Sequence, residues 1–204
     1  MIQSLLDGFS GPGQPFMIAI TAAFAYALAI GLERSFRYFF QWKCDEEAIS
    51  NAVSNGEIEK AMALCGEHPA SVLLKVSKDL DSREAIWDAM SAAAPPIEKR
   101  TTLRLPMLAA TANIATMLGL LGTVYGLIYA LEGLGGGDAS RATRLSEGIA
   151  AAMTTTAWGL LTGIPALAAH AALNSKANSV LGFCEAIGGQ LALNKSNQPP
   201  SGAS

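Results

Sequence analysis

Residues 105–131 read LPMLAATANIATMLGLLGTVYGLIYAL and residues 148–175 read GIAAAMTTTAWGLLTGIPALAAHAALNS, 27 and 28 residues without a single Asp, Glu, Lys or Arg. A third uncharged run, Gly8–Leu32, adds 25 more. Apolar runs longer than about 18 residues are what a helix needs to cross a bilayer. The three runs hold 80 of the 204 residues, so all 14 basic and 17 acidic side chains crowd into the remainder, at the charge density of ordinary soluble protein. Two compositions in one chain exclude a simple soluble enzyme and exclude intrinsic disorder. The net charge of −3, with its bases scattered among acids, excludes a nucleic-acid surface, which needs clustered Lys and Arg. The partner to explain is the lipid bilayer.

The start of the chain, MIQSLLDGFSGPGQP, has neither a positive leader nor a small-residue cleavage site, so the first run is read as a retained span and not as a signal peptide. Basic residues flank the spans on one side: residues 1–15 carry none, whereas Arg34, Arg37 and Lys43 follow the first span and Lys99, Arg100 and Arg104 precede the second. The positive-inside rule then places the N-terminus outside and the C-terminus inside. The expected organisation is a periplasmic segment 1–15, a first span 16–32, a cytoplasmic helical loop 33–104, a second span 105–131, a short periplasmic loop 132–148, a third span 149–175, and a cytoplasmic helix with a disordered tail over 176–204. Within the large loop, Asp45–Cys65 and Pro69–Ala94 repeat apolar residues at three- and four-residue spacing, and Pro95-Pro96 is expected to end the second helix. No stretch alternates like a strand, so the fold class is an all-α integral membrane protein with three transmembrane helices. Spans two and three, at about 1.5 Å per residue, are roughly 40 Å long and extend beyond a hydrocarbon core of about 30 Å.

Spans two and three are unlike lipid-facing anchors. Gly119, Gly122 and Gly126 lie in one, Gly159 and Gly163 in the other, and small residues four apart let a neighbouring helix approach closely. Threonines accompany them: Thr111, Thr116 and Thr123 in span two, and Thr154, Thr155, Thr156 and Thr162 in span three. A lone threonine in a membrane helix satisfies itself by bonding back to a carbonyl of the preceding turn. Three in succession spread hydroxyls over much of one side, so at least one should face the bundle interior, where polar groups line ion paths or hold a polar partner. Packing and a polar pathway both account for these residues as they stand.

The segment Leu118–Gly126, LGLLGTVYG, followed by Gly148–Pro165, GIAAAMTTTAWGLLTGIP, resembles the MotA/TolQ/ExbB proton-channel family, most closely its ExbB/TolQ branch. The resemblance covers about a third of the chain. It implies the channel-forming subunit of a proton-motive-force-driven motor of the bacterial inner membrane. In that family a homopentamer surrounds the single-span helices of an ExbD/TolR-like partner, whose membrane Asp carries the protons, and a TonB/TolA-like protein can receive the work. The resemblance assigns the proton pathway to Thr123 in span two and Thr156 in span three, with Thr155 beside it, and assigns a helix bend to Pro165. It implies neither an enzyme nor a cofactor or metal. There is one departure: the Glu that this branch carries five residues before the third-span Thr is Ala151 here. The nearest carboxylate, Glu147, is expected either to serve at the pathway mouth or to be a solvated first-turn acid complementing the helix dipole.

Other candidates are weaker. His170, at the end of span three, is expected to be an interfacial His satisfied by water or headgroups, although its titration range would suit a relay. Cys65 and His68 supply two ligands where a structural zinc site needs four. An intramembrane protease lacks a nucleophile and base at reachable depth. Gly135–Gly137 lacks the context of a phosphate loop. A non-conducting scaffold that merely holds partner helices is the rival that the residues leave open.

Overall fold

The computed structural model describes residues 9, 11–42, 44–78, 80, 82–133 and 138–197. Most of the expected outer segment 1–15, the glycines at 135–137 and the end of the tail lie outside the described residues. Among the described residues every regular element is helical. Helix α1 is Gln14–Phe36, continued by a π-helical turn Arg37–Gln41; α2 is Glu46–Ser54, α3 Ile58–Cys65, α4 Ala70–Ser77, α5 Arg83–Thr102, α6 Leu105–Glu132 and α7 Asp138–Asn197. Helical segments within Gln14–Gln41, Glu84–Glu132 and Arg141–Asn194 are long and apolar enough to cross a membrane. The chain is an all-helical, multi-pass membrane protein, and it divides into two compact units, Met1–Leu32 with Arg104–Ala172 and Glu33–Leu103 with Leu173–Ser204.

The first unit consists of α1 up to Leu32, α6, and α7 up to Ala172. Helix α6 starts abruptly. Arg104 adopts a left-handed backbone (φ 66°) at its N-cap, a conformation that puts Cβ close to the carbonyl and is uncommon outside glycine. Pro106 then occupies the first helical turn, where its missing N–H is no loss. Helix α7 begins at Asp138, so most of the expected loop 132–148 is helix. No Gly or Pro interrupts DASRATRLSE before Gly148, and nothing in that stretch stops a helix once started. The third span and the expected C-terminal helix are likewise one element.

The second unit closes around Ile49, Val53, Leu74, Ile97, Ile187 and Leu191. Its loop helices are shorter than their periodicity suggests. Asp45 caps α2 by accepting from the Ala48 amide at 3.1 Å, and Gly56 (φ +78°) turns the chain into α3, splitting the expected helix Asp45–Cys65 in two. The expected helix Pro69–Ala94 likewise divides into α4 and α5. Pro95-Pro96 does not end α5, which continues to Thr102. Each proline deprives the carbonyl four residues earlier of its donor. Those residues, Ser91 and Ala92, are exposed, whereas Ala93 and Ile97 are buried on either side, so the orphaned carbonyls face solvent while packing holds the helix together.

Candidate functional site

Helices α6 and α7 run antiparallel in the first unit along a seam of small residues. A Cβ placed on Gly159 would stand 3.0 Å from Gly119 Cα and 2.9 Å from the Ala115 carbonyl oxygen. One on Gly119 would meet the Thr155 carbonyl at 3.0 Å, and one on Gly126 would lie 2.7 Å from both Ala152 N and Gly148 O. Gly122 receives the Thr155 side chain, and Gly163 receives the Thr116 hydroxyl. Gly119, Gly126 and Gly159 therefore set backbone against backbone, and Gly122 and Gly163 make room for threonine side chains, which only residues without side chains of their own permit.

Helix α1 covers one flank of this pair. Phe16 meets Tyr125 of α6 at 5.4 Å between ring centroids, and the Tyr26 hydroxyl lies 3.6 Å from Met107 Sδ. On α7, Trp158 Nε1 donates to Thr21 Oγ1 at 2.9 Å, and Thr21 in turn donates to the Met17 carbonyl at 2.7 Å. A Cβ on Gly13 would touch the Thr155 methyl and lie 3.5 Å from Ala151 Cβ.

These contacts fix which way each threonine faces. At about 100° per residue, Thr123 lies about 100° around α6 from the seam residue Gly122, on the side away from Tyr125. Thr156 lies about 60° around α7 from Gly159, on the side away from Trp158. Thr123, Thr156 and Thr116 thus share the edge of the α6–α7 pair that α1 leaves uncovered. Thr123 donates to the Leu120 carbonyl and Thr116 to the Ala112 carbonyl, both back into their own helix. Thr156 instead donates across the seam to the Gly119 carbonyl at 3.2 Å. Each hydroxyl keeps acceptor lone pairs on a polar edge without fixed charge.

The remaining expected residues fall elsewhere. Thr155 is fully buried between α1 and α6, and its hydroxyl is taken by the carbonyls of Ala151 and Ala152 at 2.9 and 3.1 Å. Glu147 precedes Thr156 by nine residues, about two and a half turns, which sets it on the opposite side of α7. There its Oε2 accepts from the Tyr129 hydroxyl at 3.3 Å. It stands in the third turn of α7 and not in the first, because the helix starts at Asp138. The departure at Ala151 has a local reason: Ala151 is buried against the start of α1, and a carboxylate there would be a buried charge. Pro165 is exposed, and α7 continues through it. His170 differs from expectation, for its Nδ1 lies 3.0 Å from the Leu105 carbonyl. A carbonyl only accepts, so Nδ1 carries the hydrogen.

Two contributors escaped the sequence reading. Thr21 and Trp158 form the α1–α7 link, and the one available signal was an indole N–H in an otherwise uncharged span, a donor that needs a partner. In the second unit, His68 Nδ1 accepts from the Ala70 amide at 3.2 Å and its ring packs edge-on against Phe183; burial lowers its pKa to about 4. Among the described residues no three His, Cys, Asp or Glu side chains come together as a metal site would require.

The fold and this edge define a class of protein, a multi-pass helical membrane protein in which two glycine-seamed helices present uncharged hydroxyls along one side. The model of the MotA/TolQ/ExbB proton channel family matches residues 46–185, more than half of the chain, and the chain belongs to that family. It is similar to the Tol-Pal system protein TolQ of Haemophilus influenzae, 36% identical over 77 residues, which are 38% of this chain and 34% of the relative. Similarity extends to TolQ of Pseudomonas aeruginosa, 30% identical over 99 residues (48% of this chain, 43% of the relative). The biopolymer transport protein ExbB of Aquifex aeolicus is 34% identical over 94 residues (46% and 64%). The aligned chain thus spans about a third of the Haemophilus protein and less than two thirds of the other two. By these names it stands with the ExbB/TolQ branch.

Proposed function

We propose that this chain is the channel-forming subunit of a proton-motive-force-driven motor of the bacterial inner membrane. Five copies surround the transmembrane helices of a single-span ExbD/TolR-like partner, and the partner supplies the membrane Asp that carries protons. The observation that carries the reading is that Thr123 and Thr156, on different helices, share the edge of the α6–α7 pair that α1 leaves open. There they can solvate a carboxyl group in both of its protonation states. The lone pairs of Thr156 accept from a protonated Asp, and the same hydroxyl turns from the Gly119 carbonyl to donate to an ionised one. The edge adds no charge of its own, so the partner's Asp is the single titrating group in the path. Thr155 stands behind Thr156 and holds α1 and α6 in place, and Glu147 belongs to the other flank.

The distribution of Lys and Arg supports a periplasmic N-terminus and a cytoplasmic C-terminus. Energising TonB-dependent outer-membrane transport, with a TonB/TolA-like protein receiving the work, is the first process to test. Similarity of like strength to TolQ keeps a Tol-type envelope motor beside it, with gliding as a further use. The test is proton uptake into liposomes containing the chain and its partner. Thr156→Val and Thr123→Val, which keep volume but remove the hydroxyl, are expected to abolish most of the flux, and Thr155→Val to retain more of it. Unchanged flux in both of the first two variants overturns the assignment and favours a non-conducting scaffold.

A further inference from the structure

The end of α1 and the π-helical turn that follows invert the usual arrangement of polar and apolar residues. Arg34, Tyr38 and Trp42, four residues apart, are buried at 0%, 3% and 5% exposure. On the opposite face, Leu32, Phe36, Phe39 and Phe40 are 70%, 57%, 60% and 73% exposed. The guanidinium thus points into the protein and the phenyl rings point out. Inside, Tyr38 meets Trp42 at 5.2 Å and donates its hydroxyl to the Thr101 carbonyl. Outside, Phe36 and Phe40 stack at 4.9 Å. The charges on the flanks, Glu33 and Arg37, pair with each other at 3.7 Å. In water this face would be an exposed apolar patch with nothing to cover it.

We propose that this face is immersed in the acyl chains of the leaflet at the C-terminal end of α1, so that the first span ends near Gln41 and Arg34 lies at bilayer depth, shielded by protein. Two observations choose lipid as the occupant. The exposed stripe is continuous with that of the span itself, through Leu28 and Leu32 on the same helix. Length and composition also agree: the helical stretch Gln14–Gln41 as a whole is long and apolar enough to cross a membrane, so Phe36, Phe39 and Phe40 fall within it and not after it. An arginine at such depth is tolerated where it faces protein and not lipid.

The test places a reporter on the face. Phe40→Trp in the full-length chain is reconstituted in phosphatidylethanolamine–phosphatidylglycerol vesicles with plain or brominated acyl chains, and its added emission is read against the parent, which has Trp42, Trp87 and Trp158. Immersion predicts blue-shifted added emission, most of which is lost to brominated chains and little to acrylamide. Loss to acrylamide alone would mean that the face meets water. Loss to neither would mean that a second copy or another protein covers it, and either result overturns the proposal. Phe36→Trp, one turn nearer the span, serves if the first variant does not fold.

Discussion

Gly126→Ala is a sharp probe of the α6–α7 seam, because the new methyl would meet only backbone. Its Cβ would stand 2.7 Å from Ala152 N and from Gly148 O, about 0.7 Å short of the 3.4 Å at which ordinary contact begins. Neither atom can rotate away, so the helices must part by about that distance. A gap of 0.5–1 Å forfeits roughly a quarter to a half of the dispersion energy of each contact it opens, and overpacking of this kind costs about 1–3 kcal/mol. Alanine also gains helix propensity over glycine, up to about 1 kcal/mol, which partly hides the cost. Gly31→Ala on α1 is the control, since a Cβ there meets nothing within 4 Å and the propensity gain stands alone. The difference in unfolding free energy between the two variants, measured by denaturant titration in mixed micelles, should therefore be about 1–3 kcal/mol against Gly126→Ala. Equal stabilities would refute the close approach of the two helices at this point.

Two further predictions concern the second unit. Burial lowers His68 to about pH 4 from its ordinary 6.5, so between those values the unfolded chain binds the proton and the folded chain does not. Stability should be full above about pH 6.5 and fall toward pH 4, by at most about 1.4 kcal/mol per pH unit; thermal unfolding of wild type and His68→Gln across this window checks it, the variant giving the flatter profile. Cys65 is pushed up to about 11 by burial and is 3% exposed, whereas Cys44 is half-buried. Because the thiolate is the reactive form, N-ethylmaleimide at neutral pH should modify Cys44 first and Cys65 only on unfolding, as peptide mass spectrometry would show; equal rates would contradict the packing around Cys65.

Much of the fold was legible because the strongest signals were long. Three uncharged runs in one chain leave few alternatives to membrane helices, and the glycine spacing named the seam before its partners were known. Boundaries were less legible where competing effects are nearly balanced. Asn55-Gly56 is an ordinary turn signal that the continuing apolar period concealed. Pro95-Pro96 is an ordinary stop that solvent-facing carbonyls and the buried pair Ala93 and Ile97 override. The start of α7 was missed because charged residues were read as loop, although nothing in them opposes a helix. Within the candidate site, residue types singled out the threonines and the resemblance singled out Thr123 and Thr156 among them, but only the position of α1 separates Thr156 from Thr155. Consecutive residues differ by about 100° in direction, and the sequence contains no sign of which direction a neighbour occupies. The same contact explains Ala151, which as a bare sequence feature was an unexplained departure.

The seam between α6 and α7 also has a mechanical meaning. Ordinary helix interfaces contain long side chains that change rotamer and so yield when one helix is displaced. Around Gly119, Gly126, Gly148 and Gly159 the contact is main chain on main chain, with no rotamers to absorb a displacement. The two helices therefore act as one stiff stave, and a load on either is transmitted to the other within a fraction of an ångström. In the assembly proposed above, compliance would then come from the joints between copies, and a moving partner would leave the spacing of Thr123 and Thr156 undisturbed.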